Sequence, residues 1–353
     1  MVYFNGWRVA MKDSLICTAL VLCIVQFIFI ESTLCVFNAY APWLKQQEKY
    51  LSGARLEYVR FFALSGSESD RYIERKAVVL RRPYARAVVL ICHGFMCDKL
   101  DALFLRTIFD NCHVISFDFP AHGELVDDRQ ICTFGRNEAY TVIGAVDFIK
   151  SDQEFKDMPI IAYGFSMGAV ASLRAQALSQ IDDKSLFAAL ILDCPYDRSD
   201  NVIKNALNKV KISIFGYTFS IPGISVLNSY IFSPYIQWFL KACLKTIANM
   251  DATQINTHIQ PVSPEELIKN VTIPTFFIQC RNDDKIPLKA VKKVYKGAQG
   301  FKRLWITNGR RHFDSFFYNP EAYVYKINKF ITSILSETFK KKLPAKIKED
   351  VMN

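Results

Sequence analysis

No C-x-x-C pair occurs among the ten cysteines, at 17, 23, 35, 92, 97, 112, 132, 194, 243 and 280, and their spacing shows no regularity. That argues against a zinc site and against a disulfide framework. Several sit in apolar runs such as VVLICHG and AALILDC, where a free thiol behaves as a small hydrophobe, which points to a reducing compartment. Histidine is scarce, with five residues at 93, 113, 122, 258 and 312, so any role that needs an imidazole has few candidates. There is no internal repeat, no low-complexity block and no nucleic-acid module. Basic residues outnumber acidic ones 44 to 34, but part of the excess is the cationic tail KKKLPAKIKED. That tail reads either as a solvated end or as an attraction to anionic headgroups, worth about 1 kcal/mol per basic residue near a lipid surface. Hydrophobic residues make up 51% of the chain, ample for a large core.

Two long segments lack charge. Ser14 to Ile30 is a 17-residue uncharged run, and apolar character resumes at Leu34 to Trp43, so a helix of spanning length is available. We read residues 1–50 as an N-terminal membrane anchor and linker. A secretory signal peptide is the competing reading, with Ala39-Tyr40-Ala41 as its cleavage site, but Pro42 and the length of the run argue against it. Counting Arg8 and Lys12 before the run against Lys45, Lys49, Arg55 and Arg60 after it favours a cytoplasmic side for the chain that follows. The second run, Ile212 to Leu240, spans 29 residues without Asp, Glu, Lys or Arg.

From about Leu56, short β-branched runs alternate with helix-like stretches, the pattern of a mostly parallel α/β sheet. The expected strands are LEYVRFFAL, KAVVL, AVVLICH, HVISFDF, PIIAYGF, FAALILD, PTFFIQC and KRLWIT. Helices are expected at Lys99 to Asp110, Phe134 to Lys150, Met167 to Gln180, Leu288 to Tyr295 and Pro320 to Lys340. The rhythm fails after Asp193 for about 80 residues and returns at Thr272. Within PIIAYGFSMGAVASL, Gly164-Phe165-Ser166-Met167-Gly168 follows a strand and opens a helix. This is G-x-S-x-G in the context that gives it chemistry: a serine on a sharp strand-to-helix turn projects its hydroxyl above the sheet edge, and the helix N-terminus offers N–H groups to an oxyanion.

On these residues the chain resembles the α/β-hydrolases from about Leu56 to Lys340, and within them the lysophospholipase, acylglycerol lipase and serine aminopeptidase branch. The resemblance implies a triad in the order Ser, acid, His at the C-terminal sheet edge. Ser166 is the nucleophile. His312, in NGRRHFDSF after the last strand, matches the family's G-x-x-H position for the base. In QCRNDDKIP the family's D-x-x-V-P pattern makes Asp283 the acid, with Asp284 as runner-up and Asp193, after FAALILD, a further alternative. His93-Gly94 matches the family's His-Gly motif, which implies that Phe95 and Met167 donate the two oxyanion N–H groups. His122, in DFPAHGE, resembles the D-x-x-G-H-G turn, with Pro120 and Ala121 departing from Arg-Gly. The chemistry needs no metal and no cofactor.

The triad constrains the second uncharged run. A single crossing at Ile212 to Leu240 separates Ser166 from Asp283 and His312, and two crossings need about 40 apolar residues. Gly216, Pro222, Gly223 and Pro234 also break the run. α/β-Hydrolases commonly carry a cap at this edge, so we expect an apolar helical cap over residues 201–262, either packed on the core or forming an acyl tunnel or an interfacial surface. The expected organisation is an α/β-hydrolase fold of about eight strands, split as 51–200 and 263–340 around that cap, with a basic tail at 341–353. The expected function is a membrane-anchored serine hydrolase acting on an acyl bond, most plainly a carboxylic ester, of a lipid or other hydrophobic substrate. A peptidase or thioesterase is the alternative, and an idle scaffold the reading from a different class.

Overall fold

The computed structural model describes residues 53–66, 71–124, 130–182, 185–209, 211–214, 217–220 and 256–336, together with positions 230, 232, 233, 235 and 238. They belong to the second of two compact units, Leu51–Asn353. The anchor expected in 1–50, the tail at 341–353 and most of the cap lie outside the described residues. Among those described, no helix is long and apolar enough to cross a membrane.

Ten strands follow in chain order: β1 (Arg55–Leu64), β2 (Tyr72–Arg81), β3 (Ala87–Cys92), β4 (Cys112–Phe117), β5 (Ile160–Phe165), β6 (Ala189–Asp193), β7 (Lys211–Ile214), β8 (Tyr217–Ser220), β9 (Thr275–Cys280) and β10 (Lys302–Thr307). The helices are α1 (Glu138–Ser151), α2 (Met167–Ser179), α3 (Ser199–Lys209), α4 (Pro264–Leu267), α5 (Leu288–Gly297), α6 (Ser315–Tyr318) and α7 (Pro320–Leu335). Eight strands make one sheet in the order β1-β2-β4-β3-β5-β6-β9-β10. β2 runs antiparallel to β1 and β4, and the remaining pairs are parallel.

Parallel neighbours need crossovers, and crossover helices cover both faces of the sheet. That is why β3, β5 and β9 are mostly apolar and buried at every position. Adjacent residues of β9 report the two layers. Phe277 meets Tyr295 of α5 edge-on at 5.5 Å between centroids, and Phe276 meets Phe330 of α7 at 5.3 Å. Each such side chain contributes about 1.5–3 kcal/mol on burial. β6 and β9, separated by the interrupted stretch of sequence, are neighbours in the sheet, with Asp193 beside Ile278. The insertion therefore leaves and re-enters the sheet between adjacent strands.

Three expectations changed on contact with the structure. Lys99 to Asp110 is not an α-helix but turns around a 3-10 segment at Leu103–Thr107. Asp98 Oδ1 accepts from the N–H groups of Leu100 and Asp101, a local alternative that competes with helix formation. The helix expected from Phe134 starts at Glu138, whose carboxylate takes the N–H groups of Thr133 and Gly135. The uncharged run does not open as a helix: β7 and β8 form an antiparallel hairpin, pairing Ile212 with Phe219 and Ile214 with Tyr217. The reason is a period of two, with Ile212, Ile214, Tyr217 and Phe219 alternating with Lys211, Ser213, Thr218 and Ser220, which suits a strand better than a helix.

Candidate active site

The turn from β5 into α2 is built by close approach. A Cβ on Gly168 would sit 2.0 Å from the Cys92 carbonyl oxygen, and one on Gly164 would sit 2.5 Å from the Gly168 carbonyl oxygen. Only glycine lets α2 rise this tightly over β3 and β5. Between them Ser166 takes φ 53° and ψ −118°, a strained conformation for a side-chain-bearing residue. The turn is held by the Ser166 N–H donating to the Asp193 carbonyl at 2.9 Å.

His312 reaches this serine from the loop after β10. Its Nε2 lies 2.8 Å from Ser166 Oγ, and its Nδ1 lies 2.9 Å from Asp283 Oδ2. The imidazole is therefore bracketed, with hydroxyl on one side and carboxylate on the other. Asp283 is itself fixed: Oδ1 accepts the N–H groups of Lys285 and Ile286 at 2.8 Å each, and Gln279 Nε2 donates to Oδ2 at 3.3 Å. Burial pushes this carboxyl up, but the hydrogen bond and charge of His312 and the two backbone N–H groups outweigh it and hold it below the usual range. The two adjacent aspartates meet different parts of His312. Asp284 Oδ1 accepts the His312 backbone N–H at 3.0 Å rather than the ring, and so orients the loop.

Asp193 turns the other way. Its Oδ2 accepts the Tyr323 hydroxyl at 2.6 Å, and burial pushes its pKa up to about 7. The carboxylate thus faces α7, while its backbone carbonyl serves the Ser166 turn. Asp314 accepts the Arg310 N–H and stays on its own loop. His113 accepts the Arg82 N–H at the start of β4, and His258 donates its backbone N–H to Cys132 O. Neither belongs to the site.

The loop after β3 lies alongside. Gly94 is required because a Cβ would meet the Phe165 ring at 2.7 Å. The Met96 N–H donates to His122 Nε2 at 3.2 Å and the Cys97 N–H to Gly94 O at 3.3 Å. On the other side of the serine, Met167 is the first residue of α2, where N–H groups have no carbonyl within the helix to receive them. Two contacts in the site carried no signal in the sequence. Phe313, at φ 61°, stacks on Phe165 at 4.2 Å and braces the histidine loop. Cys194, at φ 45°, brings its Sγ to 3.9 Å from His312 Nε2. Potential ligand atoms of Cys194, Asp283 and His312 lie within 4.8 Å of one another, but Asp283 and His312 spend theirs on each other.

Residues 88–324 match the model of the alpha/beta hydrolase family. The chain belongs to that family. Among curated proteins it is similar to the uncharacterised protein YqkD of Bacillus subtilis, 23% identical over 252 residues, covering 71% of this chain and 72% of YqkD. Among solved structures it resembles a Pyrococcus furiosus esterase, with a TM-score of 0.57 and 18% identity over 82% of this chain and 94% of that one. It also resembles the Pyrococcus horikoshii acylaminoacyl peptidase, with a TM-score of 0.51 and 16% identity over 82% of this chain and 42% of that one. At these identities the structural likeness speaks to the alpha/beta hydrolase fold alone.

Proposed function

We propose that this alpha/beta hydrolase is a serine hydrolase that cleaves an acyl bond, a carboxylic ester of a lipid or another hydrophobic molecule. The observation that carries the reading is the unbroken hydrogen-bonded chain Ser166 Oγ to His312 Nε2 and His312 Nδ1 to Asp283 Oδ2, at 2.8 and 2.9 Å. His312 Nε2 takes the proton of Ser166 as Oγ attacks the acyl carbonyl. Asp283 keeps Nδ1 protonated, so that Nε2 is the free base, and stabilises the imidazolium that forms. The developing oxyanion is bound by the N–H groups of Phe95 and Met167, at the loop after β3 and the positive end of α2. His312 then returns its proton to the leaving alcohol. Water, deprotonated at the same Nε2, releases the acid from the acyl-serine.

The hydrophobic substrate is inferred from the uncharged run Ile212 to Leu240, whose aromatic residues include Tyr230, Tyr235 and Trp238, all exposed. An amide or thioester substrate is the second reading, since the same Ser, His and Asp arrangement can attack any of these acyl carbonyls. We further propose that residues 1–50 anchor the enzyme in a membrane with the catalytic domain on the cytoplasmic side. The uncharged run at Ser14 to Ile30 and the basic residues that follow it support this.

A fluorophosphonate probe tests the nucleophile. Folded wild-type protein is expected to label and Ser166→Ala is not; labelling that survives the substitution removes Ser166 from its role. A chain-length series of p-nitrophenyl esters tests the substrate class, with rates expected to rise beyond the acetyl ester.

A further inference from the structure

Two histidines that the triad does not use are buried side by side, His93 after β3 and His122 in the turn after β4. Their rings meet edge to face with centroids 5.2 Å apart. Each accepts a backbone N–H from the other's loop. Phe119, in the β4 turn, donates to His93 Nε2 at 3.1 Å, and Met96, in the β3 loop, donates to His122 Nε2 at 3.2 Å. A ring nitrogen that receives an N–H must be bare, so the proton of each neutral ring sits on Nδ1. Both Nδ1 atoms have a carbonyl ready: Gly94 O at 2.8 Å from His93 and Pro120 O at 2.8 Å from His122. The two loops carry strain that such bonds can hold, since Met96 sits at φ 66° and Ala121 at φ 61°.

We propose that His93 and His122 form a reciprocal clasp between the two loops and act as positioning residues for the Phe95 N–H. Phe95 lies between the residues held at each end, Gly94 through its carbonyl and Met96 through its N–H, and its ring packs on His122 at 5.8 Å. The catalytic part of this inference rests on the serine-hydrolase reading; the clasp itself does not. The clasp works only while both rings are neutral. A proton on either Nε2 sets donor against donor, and two imidazolium rings at this distance repel. Burial opposes protonation of both rings. Around His93, the ring of His122 and Lys99 oppose it further, while around His122 the carboxylates of Glu138 and Asp98 favour it and Arg75 opposes it.

Amide hydrogen exchange and steady-state kinetics on His122→Phe, His93→Phe and His122→Gln test the clasp. His122→Phe is expected to deprotect the Met96 amide, and His93→Phe the Phe119 amide. With an ester substrate, His122→Phe is expected to lower kcat about 10- to 100-fold, the range up to the loss of one oxyanion donor, with KM little changed. Gln offers an oxygen near the position of Nε2 and cannot be protonated, so His122→Gln is expected to recover most of kcat and to lose one proton from the acid limb of the pH profile. Unchanged Met96 exchange in His122→Phe, or a Gln variant as slow as the Phe variant, overturns the proposal. If the Phe variants do not fold, the wild type carries the test. Each amide must lose protection as its own acceptor ring protonates, Met96 with His122 and Phe119 with His93, and protection that persists in the doubly protonated protein is a refutation. Absence of Ser166-dependent labelling in wild type defeats the hydrolase reading alone and leaves the exchange result standing.

Discussion

Replacing Asp193 by Asn should remove a pH dependence that the fold itself creates. Asp193 is completely buried, one of its oxygens takes the Tyr323 hydroxyl, and the other, Oδ1, has no partner among the described residues. Burial raises its pKa from 3.8 to about 7, with the negative charge of Asp283 adding to the rise and the Tyr323 hydrogen bond opposing it. The folded chain therefore keeps a proton that the unfolded chain gives up. A raised folded pKa means stability is fully present below the unfolded value, near pH 4, and is lost as pH rises through about 7. The difference of about three pH units is worth about 4 kcal/mol at 1.36 kcal/mol per unit, and relaxation around the carboxylate makes that an upper bound. Near pH 4, where the wild-type side chain is neutral, Asp193→Asn is expected within about 1 kcal/mol of wild type. By about pH 8 the variant is expected to be the more stable by up to about 4 kcal/mol. Urea unfolding of both proteins across this range, with matching m-values, gives a difference curve from which the other titrating groups cancel. A flat difference curve, or one that favours wild type as pH rises, refutes the reasoning.

Asp283→Asn keeps the shape of the acid but lets the wrong imidazole nitrogen carry the proton, and is expected to cut kcat by about 10³- to 10⁴-fold with little change in KM; a loss under tenfold in a stopped-flow ester assay would show that the tautomer is set elsewhere. Deleting residues 1–50 is expected to move the protein from the alkaline-washed membrane fraction to the supernatant while Ser166 labelling persists. Retention of the truncated chain on membranes would transfer the anchoring role to the cap or the basic tail.

Every strand of the main sheet was legible in the sequence: the inner strands because a strand buried on both faces reads as a short, mostly apolar run, and the edge strands β1 and β10 because their apolar and β-branched residues are interleaved with charged ones. The serine turn was legible for a different reason: Gly164 and Gly168 stand where any Cβ would strike backbone. The hairpin β7–β8 was misread because a long uncharged run draws attention to its hydropathy and away from its period. The helix expected at Lys99 failed because Asp98 satisfies nearby N–H groups first.

The sequence by itself determined the family, the chain order of the main sheet's strands, most of its helices, the serine turn, and a short set of candidates for the serine's partners, all of which are local: they depend on residues within one turn or strand. Only the tertiary structure set Asp283 against the His312 ring and Asp284 against its backbone N–H, turned Asp193 toward Tyr323, brought Cys194 close to His312 and Phe313 onto Phe165, and laid His93 beside His122. Those outcomes depend on which side of a strand end each side chain leaves from and on what the neighbouring strand presents there. Strands as distant in sequence as β6 and β9 become neighbours only when the sheet closes, so no local pattern could have recorded them.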